Sequence, residues 1–481
     1  MPLLLGFAAL VVLNFCIGRA WTFINDSTIQ PLYRSRLARS YLGATNPRRV
    51  PPPGSTADYF RVIAVAPDDD IAIDKLWWNE TRGIANDSLE AQGAANAVHR
   101  GAPLHLINVT VNETLDGRTG IQNNDRRGVG MAIGPAGLSA GIKHHIVINK
   151  AGWSCFPPRG FRVFNYAESN LSGPEPPFEP LTLGQWTGLS GAAFSTGLGA
   201  RTSLGLSLLA GFFNIRLGYW WDSGVDPVSR FVPGRWRTFL ARLRPGSKPD
   251  YGNLVTGTLQ KSWIGRIFNW ALALQSYLFD EFVARFHGTG RRWWYISDGG
   301  HFENMGAYEL LRRRLPLIFI VDAEADADYQ FEGLANLVRK ARLDFSAEIR
   351  FVDDVATRWG EPGLNQCFGS LEMVRPGSKK VDVPSQDPKN SARHAALAQV
   401  CYDGADTPAS WIIYIKPSLS GDEPADITQY RSENPEFPQQ PTSDQFFDEA
   451  QWESYRRLGE HIGRKIFAEG LTPYVRLTSR E

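Results

Sequence analysis

The segment of residues 293–322 constrains the fold most strongly, because it combines two apolar runs, a glycine turn and an amphipathic stretch. Residues 293–296 are aromatic and β-branched, which is typical of a buried strand. Gly299 and Gly300 follow at once and permit backbone angles that other residues resist. Residues 304–314 then predict a helix, and residues 317–321 form a continuous apolar run typical of a central parallel strand.

The order of elements predicts the sheet and a catalytic position. Residues 293–352 read as β-α-β-α-β, which predicts parallel strands joined by right-handed crossovers. Asp298 lies at the end of the first strand on a glycine turn, where open α/β sheets place their chemistry. We therefore predict a three-layer α/β domain around a mostly parallel sheet, with Asp298 as its first candidate catalytic residue.

The N-terminal region predicts a membrane attachment. Residues 2–18 are almost entirely apolar, and apolar residues resume after Arg19. A helix over residues 3–24 is long enough to span a bilayer, although a helix buried in the domain is the alternative. Residues 32–42 predict an amphipathic helix, on a membrane surface or simply solvated. The predicted division is an N-terminal apolar helix at 1–24, an amphipathic helix and linker at 25–58, and the α/β domain at 59–481.

Charge and cysteine usage exclude several classes of function. The formal net charge of +1 gives no support for nucleic acid binding. The four cysteines form no CxxC pair, and His144 with His145 has no third ligand at a metal-like spacing. No metal and no cofactor are predicted.

Three further features carry two interpretations each. Ser190 lies in Gly-Leu-Ser-Gly-Ala, which resembles a nucleophile elbow, but residues 182–187 form a poor strand before it. The alternative is a helix of small residues in which Ser190 is merely hydrogen-bonded. His301 is either an acid/base group beside Asp298 or a helix cap. The alternating acids of residues 322–328 hold a cation or belong to a solvated loop that caps the next helix.

Several segments together resemble a known family. SDGGHFENMGAYELLRRRLPLIFIVDAEAD is similar to the catalytic-aspartate segment of the patatin-like and cytosolic phospholipases. LYRSRLARSYLGA, PLHLINVTVN and LTLGQWTGLSGAAFSTGLG resemble segments of large membrane-associated patatin-like proteins. The resemblance covers most of the chain from about Leu32 onward. It implies a patatin-like fold and a Ser/Asp dyad, in which Asp298 matches the aspartate of the family's DGG motif.

The resemblance implies hydrolysis of phospholipid or lysophospholipid esters. Serine attacks the carbonyl, aspartate takes its proton, and glycine-loop N–H groups stabilise the oxyanion. In the family, the glycine loop and the GxSxG serine precede the segments matched here, which leaves Ser190 as the candidate nucleophile in this chain. The alternative is a catalytically incomplete membrane-associated homologue, or half of a split enzyme that lacks the N-terminal part. The expected partners are membrane phospholipid or another lipid ester, and a missing N-terminal half. The expected location is membrane-associated.

Overall fold

The computed structural model describes a defined part of the chain, which forms two compact units, Met1–Phe302 and Glu303–Glu481. The described residues are 21–43, 104–115, 125–135, 137–142, 144–149, 152–155, 179–224, 273–353, 368–377, 390–441 and 446–469, with shorter pieces at 6, 10, 12–14, 16, 46, 49, 66, 69–71, 73, 122–123, 172–173 and 444.

The first unit contains an eight-stranded sheet in the order β6-β5-β4-β3-β2-β1-β8-β7. Every neighbouring pair in this sheet is antiparallel. β1 is rich in β-branched residues and almost wholly buried, which suits a central strand. The strands are β1 (Ile107–Asn112), β2 (Gly128–Gly134), β3 (Gly137–Ala140), β4 (His144–Asn149), β5 (Gly152–Cys155), β6 (Ser172–Gly173), β7 (Tyr219–Asp222) and β8 (Trp293–Asp298).

One helix of this unit, α3 (Leu183–Ser190), packs its apolar side into the core of the sheet. The Thr182 hydroxyl accepts from the Gln185 N–H, and the Gln185 side chain accepts from the Thr182 N–H, so a capping box starts the helix. Trp186 is fully buried and packs edge-on against Trp221. The other helices are α1 (Trp21–Asp26), α2 (Gln30–Leu37), which continues into a π-helical turn at Ala38–Leu42, α4 (Leu204–Phe212) and α5 (Ala273–Phe282).

The second unit contains a five-stranded sheet in which β10, β12, β13 and β9 follow one another and β11 pairs with β12. β9 pairs with β13 in parallel, and β12 pairs antiparallel with both β10 and β13. The strands are β9 (Leu317–Val321), β10 (Ala347–Phe351), β11 (Phe368–Gly369), β12 (Ala395–Tyr402) and β13 (Ser410–Ile415). The helices are α6 (Tyr308–Arg312), α7 (Glu332–Phe345), α8 (Leu371–Val374), α9 (Ala425–Glu433) and α10 (Glu449–Glu469).

The predicted three-layer α/β domain around a mostly parallel sheet is wrong. β8 and β9, which were expected to be neighbouring parallel strands, belong to different sheets. β9 and β10 share a sheet, but the hairpin of β12 and β13 lies between them. Local sequence located these strands well. It did not determine their direction, because an apolar run suits a buried strand of either kind.

The structure describes only part of the N-terminal region in which we predicted a membrane helix. Among the described residues, no helix combines the length and apolarity that crossing a membrane requires. The predicted helix over residues 3–24 falls for the most part outside the described residues, and α1 is its described end. The helix predicted over residues 32–42 is present as α2 and its π-helical turn. Leu32 and Tyr41 of its predicted apolar face are exposed, and its amphipathic role stays a prediction. The predicted linker after it lies almost wholly outside the described residues.

Candidate active site

Asp298 lies where strand β8 ends in a tight turn. Asp298 is the last residue of the strand and pairs with Val109 of β1. Its Oδ1 accepts the Gly300 N–H at 2.7 Å, which starts the 3-10 turn Gly299–His301. A Cβ atom at Gly299 would lie 2.5 Å from the Asn108 carbonyl oxygen, so only glycine fits there. The turn therefore fixes the Asp298 carboxylate at the end of β8.

The surroundings of Asp298 raise its basicity. Burial raises the pKa of Asp298 to about 6, and the hydrogen bond from Gly300 opposes that rise. Within the described part of the chain, no cationic side chain forms an ion pair or hydrogen bond with it. The carboxylate is thus mostly ionised at neutral pH and has a pKa suited to accepting a proton during a reaction.

Ser190 lies nearby, but its hydroxyl points elsewhere. It is the last residue of α3, and its Oγ donates to the Asn108 carbonyl at 2.8 Å. Both Ser190 and the Gly299 turn thus approach the same carbonyl of β1. No hydrogen bond joins Ser190 to Asp298, both of which are described. Residues 188–190 of the GLSGA segment form the last turn of α3, whereas Gly191 and Ala192 lie beyond the helix.

His301 is a neutral positioning residue in this arrangement. Its Nδ1 lies 2.8 Å from the Ser297 Oγ, and its Nε2 lies 3.2 Å from the Ala193 carbonyl oxygen. A carbonyl can only accept, so Nε2 carries the proton and Nδ1 accepts from Ser297. Burial lowers the pKa of His301 to about 4, which keeps the ring neutral. His301 does not cap a helix at residue 304, since α6 begins only at Tyr308.

A buried chain of hydrogen bonds continues from His301 into β1. Asn112 donates to the Ser297 Oγ at 2.8 Å and accepts the Gly199 N–H at 3.0 Å. Gly199 has a φ of +55°, and a Cβ there would lie 2.2 Å from the His301 carbonyl oxygen. These hydrogen bonds connect residues 193–199 to the turn that carries Asp298.

Tyr33 of α2 is a neighbour of Asp298 that the sequence did not reveal. Burial raises the pKa of Tyr33, and the negative charge of Asp298 raises it further. The Tyr33 hydroxyl lies 2.7 Å from the position that a Cβ would take at Gly191. The tyrosine therefore lies over the end of α3 in its protonated form, where its hydroxyl can donate a hydrogen bond.

Helix α4 is apolar on its exposed side and small or polar on its buried side. Ser207 is buried and donates to the Thr196 carbonyl, and Gly211 packs closely against Phe282. Phe212, by contrast, is 83% exposed. Contiguous exposed apolar patches are typical of interaction surfaces. The exposed apolar residues of α4 are Leu204, Leu206, Leu208, Leu209 and Phe212, and Phe194, Phe213 and Ile215 outside the helix are exposed as well.

The alternating acids of the second unit have structural roles. Asp326 accepts the N–H groups of Gln330 and Phe331, both at 2.8 Å, just before α7 begins. These hydrogen bonds hold the turn that precedes α7. Its N-cap residue Phe331 has no side-chain cap hydrogen bond in the described part of the chain, so the interpretation of the acidic loop as a helix cap is not confirmed. Asp322 is buried and bonded to Lys416.

Comparisons with family models, with curated proteins and with solved structures found no match to this chain.

Proposed function

We propose that this protein is an acyl hydrolase of lipid esters in which Asp298 is the general base. The observation that carries the proposal is the Asp298 carboxylate itself, which ends a strand on a glycine turn and has a pKa of about 6. In a serine–aspartate dyad, this group accepts the proton of the attacking hydroxyl without a histidine. The neutral His301 beside it supports the turn, as its two hydrogen bonds indicate.

Helix α4 supports a lipid as the substrate class. Two residues separate it from the 3-10 turn Gly199–Arg201, and Gly199 of that turn packs against the His301 carbonyl. The apolar side chains of α4 that face outward suit the acyl region of a lipid aggregate better than water. A phospholipid or lysophospholipid would then present its ester near the Asp298 turn while its chains contact α4.

Ser190 is the candidate nucleophile within the described residues. The Ser190 hydroxyl donates a hydrogen bond to the Asn108 carbonyl. Nucleophilic attack by Ser190 therefore requires this hydrogen bond to break and the side chain to rotate toward Asp298. The Tyr33 hydroxyl, at the same end of α3, is available to donate to the developing oxyanion.

A second candidate function is a homologue that lacks its own nucleophile, or half of a split enzyme whose serine comes from another chain. The hydrogen bond from Ser190 to Asn108 favours this candidate, because it gives the serine a purely structural role. Asp298 would then act as a base only when the partner chain is bound.

The two candidates are separated by an assay of the full chain on lysophospholipid micelles. Wild type is compared with Ser190→Ala and with Thr187→Val, a matched control that loses another α3 hydroxyl bonded to a main-chain carbonyl. If Ser190 is the nucleophile, Ser190→Ala loses at least about 100-fold in kcat/KM and Thr187→Val stays near wild type. Equal activity of wild type and Ser190→Ala removes Ser190 from the mechanism, and an inactive wild type supports the second candidate.

The pH dependence of hydrolysis should report Asp298. A general base acts when deprotonated, so kcat/KM should rise with pH and reach half of its plateau near the Asp298 pKa of about 6. The measurement is the pH profile of kcat/KM from about pH 4 to about pH 8. A profile that is flat through pH 6 would contradict the assignment.

A further inference from the structure

Two histidines and an aspartate converge in the second unit. His394, Asp422 and His461 each present one potential ligand atom, and these atoms all lie within 4.8 Å of one another. The Asp422 Oδ1 lies 2.8 Å from the His461 Nε2 and 3.6 Å from the His394 Nε2. The two rings meet edge to face. Their three ligand atoms thus point toward one shared position.

Three separate elements supply these side chains. His394 immediately precedes β12, Asp422 lies in the loop after β13, and His461 lies in α10. The loop bends at Gly421, which has a φ of +91°, and Glu423 accepts the N–H groups of Ser420 and Gly421. The carboxylate is therefore aimed by a turn that is itself hydrogen-bonded.

The geometry differs from that of a Ser-His-Asp relay. The Ser420 Oγ lies 3.2 Å from the His394 Nε2, and Asp422 approaches the same nitrogen. A relay needs the acid on Nδ1, on the opposite side of the ring. The buried His394 Nδ1 has no hydrogen-bond partner among the residues that the structure describes. His394 is thus oriented with its Nε2, and not its Nδ1, toward the polar groups.

From this convergence we infer a binding site for a divalent transition-metal ion, with Zn²⁺ the best fit. Neutral imidazole nitrogens and one carboxylate oxygen are ligands that zinc accepts, and three protein ligands leave a fourth position for water. His394 is buried and His461 is nearly so, whereas Asp422 is half-exposed and offers the ion a route from solvent. The bound ion would link β12, the Asp422 loop and α10.

Neighbouring groups can adapt to a bound ion. Lys465 lies 3.3 Å from the Asp422 Oδ2, so it pairs with the oxygen that does not face the histidines. The Ser420 hydroxyl donates to the Asp422 Oδ1 at 2.6 Å, and the Glu423 Oε1 lies 3.1 Å from the same hydroxyl. Oδ1 and the His461 Nε2 become available to a metal when the hydroxyl turns to Glu423 and the His461 ring carries its proton on Nδ1 instead of Nε2. The lysine then orients the ligating carboxylate from its second oxygen.

The test measures Zn²⁺ binding to the chelator-treated full chain by equilibrium dialysis with elemental analysis, with Mg²⁺ as the second cation. The variants are Asp422→Asn, which keeps the shape of the side chain, and His461→Ala. His105→Ala is the matched control, since it removes an exposed histidine from outside the cluster. Thermal melting with and without Zn²⁺ is followed in parallel.

We expect wild type and His105→Ala to bind one Zn²⁺ per chain, to melt at higher temperature with it, and to ignore Mg²⁺. Both cluster variants should lose at least about 100-fold in affinity, since even outer partners of a metal site contribute ~10–100-fold. If His461→Ala fails to fold, the affinity of Asp422→Asn and the stoichiometry of wild type still test the metal site. Binding below one ion per chain, or equal binding by all variants, overturns the inference.

Discussion

Asp298→Asn is expected to reduce hydrolysis of a lysophospholipid by ~10²–10⁴-fold in kcat/KM, the range that a positioned general base contributes. Asparagine can still accept the Gly300 N–H through its own oxygen, so the turn keeps its hydrogen bond. It cannot take a proton from a serine. The measurement is kcat/KM at pH 7.5 (about 1.5 units above the Asp298 pKa of about 6), with Asp125→Asn, which changes an exposed aspartate, as the control.

The same variant should not lose stability at neutral pH. The fold raises the pKa of Asp298 to about 6 and so favours the protonated form. The stability associated with that form is complete below the unfolded pKa and is lost as the pH rises through about 6. Asparagine stays neutral and avoids this loss, so its urea midpoint at neutral pH should equal or exceed that of wild type. An inactive variant with a much lower midpoint would indicate misfolding and would contradict this account of the site.

Asp322→Ala is expected to reduce the free energy of unfolding by about 3–5 kcal/mol, the effect of stranding a buried charge. The Lys416 Nζ lies 3.1 Å from the Asp322 Oδ2, and both side chains are 1% exposed or less. The Tyr414 hydroxyl donates to the same oxygen. Removing the carboxylate leaves the buried ammonium without its counter-charge, with only the Glu324 carbonyl as an acceptor, and leaves the buried Tyr414 hydroxyl without the acceptor it had. Urea denaturation of the full chain measures the change.

A double variant isolates the cause. Adding Lys416→Met to Asp322→Ala removes the stranded charge and should restore part of the lost stability. Glu348→Ala is the matched control because it breaks an exposed ion pair with Arg342, and its urea midpoint should stay near that of wild type. If the double variant is no more stable than Asp322→Ala, the stranded ammonium is not the source of the loss.

Elements of secondary structure were predictable where a segment signals its own boundaries. The runs before Asp298 and after Pro316 are strands, and the helix predicted after the acidic loop is α7. The pairing of strands was not predictable in this way. β8 pairs with β1 and β7, and both partners are distant in sequence. Sheet direction depends on such long-range partners, and the residues of a single strand do not encode it.

The residues of the site were likewise predictable only where neighbouring residues in the sequence form the feature. Asp298 and its glycine turn were visible because strand, acid and turn are consecutive. The position of the Tyr33 hydroxyl was not predictable from the sequence, because α2 and the end of α3 are distant in sequence and come together only in the folded chain. Ser190 matched a short motif, but the role of the serine depends on the hydrogen-bond partner of its hydroxyl, which the motif does not specify. The metal cluster could not be read from spacing, because its ligands come from three separate elements.

The central claim, that Asp298 is the base of a serine hydrolase, is tested most directly by labelling with a fluorophosphonate, which reacts with activated serines. Wild type and Asp298→Asn are treated side by side, and the modified residue is located by peptide mass spectrometry. The account predicts one labelled serine in wild type and at least about 100-fold slower labelling in Asp298→Asn. Equal labelling rates in the two proteins would contradict it.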